Sequence, residues 1–448
     1  MSTRFGALIL ALGVVVAACN PATTSTPDNT SRTAAPTTPV AATPSATGTP
    51  STPVPTVSAW REVDPNPLAR IGRTYAPVWS GSRFIIAGYP LGNPPLQPRD
   101  TGFAPSDVVF LASPDGQTWS QGPHSKGYPL AYAFDGDAGV AVGSDRYDAA
   151  VWTSPDSETW SRLPNPPALR RSGQETKLSM NDVAHGPAGY VAVADLGVAI
   201  NRREDVGASL ILWSPDGRDW QRVAMGPFGD TQFTDLQDVV VVGGRYLISG
   251  TVYVPESTNA PASATPTLWA STDGRSWTKT PALEGGPDHF LELVAGPAGA
   301  LLAGSETDPA GGHHCVAWHS WDGIAWTRTA EDCPRLLGSP GLVAAPFGFV
   351  ASTPELAVLD VGGTLASPTA EAVSPNTTAN PELPCAGGIQ VSPTGDRWTC
   401  VPPPASGGLA GPGDIVAASA TELLAIGSGT GKPNGEVVPI VWIADVDY

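Results

Sequence analysis

One short phrase recurs along this chain. It first reads SPDGQTW, ending at Trp119, and returns as SPDSETW, SPDGRDW, STDGRSW, SWDGIAW and SPTGDRW, whose final tryptophans are Trp160, Trp220, Trp277, Trp326 and Trp398. The intervals run from 41 to 72 residues. A turn and a tryptophan repeated on that scale mark an array of small supersecondary units, each burying its apolar side on the next.

The flanking sequence tells what each unit is made of. Upstream of each phrase runs an apolar strand, as in AAVWTS, LILWSP, TLWAST and VAWHSW. Further upstream lies a strand, a tight turn and a second strand, as in VAHGPAGYVAVA, VVVVGGRYLISG and LVAGPAGALLAG. Each unit therefore supplies two strands, a variable connection, a third strand, the Asp-Gly turn and a fourth strand, which is the blade of a β-propeller. The chain ends IVWIADVDY, a third strand with no fourth, and the region opens SAWREVDP, a fourth strand with no third. Joining them makes a blade from both termini and removes the free sheet edges. The expected fold is all-β: a seven-bladed propeller of four-stranded antiparallel blades over residues 58–448, closed in one blade by the terminal strands.

Ser-Pro-Asp-Gly forms a turn for physical reasons. Proline fixes φ, aspartate bonds its own backbone, and glycine accepts positive φ. The positions that build it are Ser113, Asp115, Gly116 and Trp119; Asp156 and Trp160; Asp216 and Trp220; Asp273 and Trp277; Asp322 and Trp326; and Gly395 with Trp398. The motif resembles the Asp-box, or BNR repeat, of sialidase-like propellers, although the Asp-Gly spacing is one residue shorter. Blade two has Ser157 in place of glycine, and blade six reads Ser392-Pro393-Thr394-Gly395. The resemblance implies that these turns are structural and lie on the rim. Of the 14 tryptophans only Trp79 and Trp321 fall outside the repeat scheme.

The N-terminus reads MSTRFGALILALGVVVAACN, one basic residue followed by an apolar run too short to span a bilayer. Val16-Ala17-Ala18-Cys19 resembles a bacterial lipobox, which implies cleavage of a signal peptide at residues 1–18 and a lipid on Cys19. The alternative is an ordinary secretory signal with an incidental cysteine. Of residues 20–57, 30 of 38 are Pro, Thr, Ser or Ala, so residues 19–57 read as a stalk unable to bury a core. The expected location is the outer face of the bacterial cell membrane, reached through that lipid anchor.

The net charge of −18, all of it carried beyond residue 57, argues against nucleic acid as a partner. Beyond Cys19 there are four cysteines, expected to pair within blades as Cys315–Cys333 and Cys385–Cys400. Each bridge would contribute about 3 kcal/mol on the loop-entropy estimate. His313 and His314 beside Cys315 match no zinc spacing, so neither metal nor cofactor is expected.

Short turns should occupy one face and the variable connections the other. The long connections are 89–107, 197–208, 252–266 and 353–388, with a long link between blades at 163–178. They should bring together Arg70, Arg73, Arg99, Arg170, Arg171, Arg202 and Arg203, a candidate site for carboxylate or phosphate. Glu175, Glu204 and Asp205 are the acids that could neutralise it. Two readings follow. One is a monomeric, non-catalytic binding or scaffold module for a protein or glycan. The other, implied by the resemblance, is a sialidase-type glycoside hydrolase. Arg70-Ile71-Gly72 comes near the arginine motif such an enzyme needs but lacks its proline, and no other position fixes a catalytic residue.

Overall fold

The computed structural model describes residues 55–63, 71–74, 77–90, 107–200, 204–228, 234–254, 263–283, 285–309, 311, 313–329, 341–352, 389–401, 415–429 and 438–448. Within them seven antiparallel sheets form a ring, and helix is confined to two single turns.

Blade two shows the plan at its simplest. An inner strand (Tyr128–Asp135) pairs with Ala138–Asp145, that with Asp148–Ser154, and that with a two-residue outer strand, Ser161–Arg162. Blades three, four and five repeat it with inner strands Glu175–Gly186, Thr234–Val242 and His289–Gly296. Blade six begins at Leu342–Ala345, and blade one gains a sixth strand, Ser125–Lys126, laid along Asp107–Val108. In blade seven the outer edge is N-terminal chain. Thr56–Val57 pairs with Asp447 and Val446, and Arg61–Val63 with Ile443 through Val441. The expected closure is observed, and strand pairing starts at Thr56.

The ring is held at its seams. Seven apolar clusters are found, and each joins the facing sides of two adjacent blades, including blade seven with blade one. The middle strands serve two seams at once. Along Phe84–Ala87 the alternate residues Phe84 and Ile86 pack toward blade seven, and Ile85 and Ala87 toward blade two. Strands buried on both faces read as continuous apolar runs, which is how they stand out in the sequence. The third-strand tryptophans Trp152, Trp269 and Trp442 are fully buried in these seams, and Trp318 is fully buried as well.

The up-and-down order puts the corners between strands one and two, and between three and four, on one face. The connections between strands two and three, and the links between blades, lie on the other. Two of the expected long loops prove to be strand in large part. In blade three the pairing continues from Leu196 opposite Ala208 out to Ile200 opposite Glu204. In blade four it continues to Val254 opposite Ser263. These hairpins prolong the sheets of their blades on the connection face. The link expected over 163–178 is already inner strand from Glu175.

Candidate functional site

On the corner face the Asp-Gly turns are knotted by their own side chains. Asp115 Oδ1 accepts the backbone N–H groups of Gln117 (2.9 Å) and Thr118 (2.7 Å) and the Ser113 hydroxyl (3.0 Å). The same set recurs at Asp156, Asp216, Asp273 and Asp322. In the first four, burial opposes ionisation but is outweighed by these donors, which hold the carboxyls below the usual range. For Asp322 the backbone N–H groups of Ala325 and Ile324 lead. The tryptophan closes the knot: the indole N–H groups of Trp119, Trp220 and Trp277 donate to the carbonyls of Gly116, Gly217 and Gly274 at 2.9, 2.9 and 3.2 Å. Of the two tryptophans outside the scheme, Trp79 packs on Phe84. Trp321 replaces the turn proline of blade five and stands exposed against the edge of His319.

On the connection face the candidate arginines are only partly within the described residues. Arg70, Arg99, Arg202 and Arg203 lie outside them, as do Cys19, Cys333 and Cys385, and Arg73 is placed only as a strand residue opposite Tyr89. Arg170 is held by its own link, and Arg171 by that link and by blade two. Arg170 Nε donates to the Asn165 carbonyl at 2.9 Å. The Arg171 guanidinium donates to Asp148 Oδ1 (2.8 Å) and the Thr176 carbonyl (3.1 Å) and lies over the Tyr147 ring. Glu175 does not neutralise either of them, because it pairs with Arg222.

Arg222 organises this corner, and sequence reasoning missed it. It lies on the outer strand of blade three, yet its guanidinium reaches back to the link. It donates to the carbonyls of Ala168 (3.0 Å) and Arg170 (2.8 Å) and to both oxygens of Glu175, one of them at 3.0 Å. Burial works against a charged Glu175, but the Arg222 hydrogen bond and the Ser172 N–H outweigh it and hold its carboxyl below the usual range.

A second group also escaped the sequence reading. Asp182, Asp238 and Glu292 sit on the inner strands of blades three, four and five, each beside a β-bulge. Each reaches across a seam to the backbone of the next blade. Asp182 Oδ2 accepts the Val239 N–H (2.7 Å), Asp238 Oδ2 the Leu293 N–H (3.0 Å) and Glu292 Oε2 the Leu342 N–H (3.1 Å). Asp182 also accepts the Val183 N–H, and Asp238 the Ser249 hydroxyl. Burial and then the Asp238 charge push Asp182 and Glu292 up to about 8. Burial pushes Asp238 up to about 6 against the pull of its donors. The sequence carries a faint trace, an acid followed by an aliphatic residue in NDVAHG, QDVVVV and LELVAG. Among the described residues no group of three or more His, Cys, Asp or Glu side chains is placed to hold a metal ion, and no helix is long and apolar enough to cross a membrane.

Fold and seams together define the chain as a seven-bladed all-β propeller. No family model matches it, and no curated protein does. Solved structures that resemble it include the β-propeller domain of the Trilobed protease from Pyrococcus furiosus, at 8% identity over 80% of this chain and 91% of that one, with a TM-score of 0.43. An ulvan lyase from a new polysaccharide lyase family follows at 11% identity, 63% and 76% coverage and TM-score 0.41. A family 117 glycoside hydrolase from the marine bacterium Zobellia galactanivorans gives 13% identity, 87% and 90% coverage and TM-score 0.32. Likenesses of this size bear on neither the substrate nor the chemistry of this chain.

Proposed function

We propose that this is an exported, lipid-anchored, non-catalytic propeller that binds a protein or glycan on its connection face. The observation that carries the reading is the asymmetry of the two faces. The corner face is finished with short, self-bonded turns, whereas the connection face bears the prolonged hairpins of blades three and four. A rigid scaffold with variable segments gathered on one side is the usual arrangement for recognition. Thr56, the first paired residue of the ring, lies at the corner face beside Asp447. The same proposal includes the lipid on Cys19, the Asp-box kinship of the turns and the pairings Cys315–Cys333 and Cys385–Cys400. Support for the last comes from Cys315 and Cys400, both in disulfide linkage, a state that persists outside the cytosol.

The test is a glycan array and a sialoside turnover assay on soluble residues 52–448, beside a variant with Arg202 and Arg203 changed to Ala. Saturable binding without turnover, weakened in the variant, is expected. Turnover abolished by Arg70→Ala would replace this reading with that of a glycoside hydrolase.

A further inference from the structure

The three inner-strand acids occupy one structural position. Each stands four residues before its hairpin corner: Asp182 before Gly186, Asp238 before Val242, Glu292 before Gly296. In blades four and five the N–H taken by the acid of the preceding blade lies just past the bulge, at Val239 and Leu293; in blade six it belongs to Leu342, the first residue of its strand. The corresponding places in blades two and six hold Ala131 and Gly341, so the run of three acids links four consecutive blades and stops.

The surroundings are of one sign. Asp182 feels Asp238 across the seam, and Glu292 feels both of them. Asp238 feels Asp235 on its own strand, and Asp235 feels Asp195 from the second strand of blade three. The bases on these inner strands are His185, His289 and Lys177, whose Nζ lies 3.7 Å from Asp195. On the blade-two side the inner strand offers Asp135, at its corner and 4.0 Å from His185. On the blade-six side, Leu342–Ala345 carries no titratable group.

We propose that Asp182, Asp238 and Glu292 form a proton-operated latch along the inner seams of blades three to six. A protonated carboxyl keeps its carbonyl oxygen for the N–H of the next blade and carries no charge. Ionisation strengthens each carboxyl as an acceptor, but three charges in a buried row repel one another and lose solvation, which outweighs the bonds to those N–H groups and favours an opened seam. The folded carboxyls hold their protons to higher pH than free ones, so the seams are tightest in acid and loosen as pH rises through 6 to 8. The apolar clusters do not titrate, and they keep the ring assembled while the inner ladder opens.

Hydrogen exchange on the whole chain tests this. Protection of segments 236–242, 290–296 and 342–345 is compared with that of 139–145 in blade two, each corrected for intrinsic rate. Between about pH 5.5 and about pH 8.5 the three segments should lose at least about tenfold in protection relative to the reference. Glu292→Gln should abolish the loss at 342–345. Protection ratios that do not change with pH in the native chain would overturn the latch, whatever the folding of the variant. So would an unchanged loss at 342–345 in a folded Glu292→Gln protein.

Discussion

The Ser157 hydroxyl donates to the carbonyl of Asp137 at 2.7 Å, tying the outer turn of blade two to the inner corner of the same blade. Ser157 holds the place that glycine fills in the other turns, with φ at +58°, a region that costs a side-chain-bearing residue about 1 kcal/mol. The hydrogen bond offsets that cost. Ser157→Ala keeps the strain and loses the bond, and should destabilise by about 1–2 kcal/mol. Ser157→Gly loses both and should cost less than half as much. Denaturant midpoints of the two variants check the order.

Gly217 presses on blade two. Its φ is +74°, and a Cβ there would lie 2.4 Å from Cγ2 of Val140. Gly217→Ala should cost about 2–3 kcal/mol from overpacking and strain together, and Val140→Ala in the same chain should recover part of it. Gly81 is the control. It also has positive φ, but its Cβ would meet nothing within 4 Å, so Gly81→Ala should show the strain alone. Thermal midpoints of the three variants decide.

The turn aspartates set the acid limit of the fold. Their carboxyls titrate below the free value of 3.8 when folded, so their contribution is complete above that value and is lost as pH falls through the folded values. Asp273→Asn should weaken the protein at neutral pH and make its stability less steep in acid. Acid-unfolding curves of the two proteins would show it, and equal slopes would mean that the turn does not report on pH.

Removing Arg222 should free the link between blades two and three. Arg222→Ala leaves Glu175 and two carbonyls without their donor, at an expected cost of about 1–2 kcal/mol for a pair still partly open to water. Cleavage within 163–174 by a broad-specificity protease should quicken well beyond what that loss produces elsewhere. Arg222→Lys should not restore the link, because one ammonium cannot reach three partners in the fork geometry.

The architecture was legible because it is written in periodic features. The Ser-Pro-Asp-Gly phrase fixes the outer corner, the double-sided apolar strands fix the middle of each blade, and the half-units at Trp60 and Trp442 fix the closure. The inner acids were not legible for the same reason. A bulge is a property of register between two strands, and nothing in NDVAHG marks Asn181 as the extra residue. Arg222 follows a turn tryptophan on a two-residue strand and looks like any surface arginine, since its partners lie about fifty residues earlier. The hairpin through Ile200 and Glu204 reads as loop in the sequence because LGVAINRREDVG does not alternate, although backbone pairing alone carries the strands outward.

The closing ladder also decides how the molecule meets force. A pull on the chain ahead of Thr56 is carried first by Thr56–Val57 and Arg61–Val63 on the last strand, with the Arg61–Asp445 ion pair at 2.9 Å beside them. Those five residues form a mechanical fuse. They part before any other blade is stretched, and the three strands of blade seven drawn from the C-terminal chain stay packed. Single-molecule extension from the N-terminus should record a small first rupture, reversible on relaxation, well ahead of the collapse of the ring.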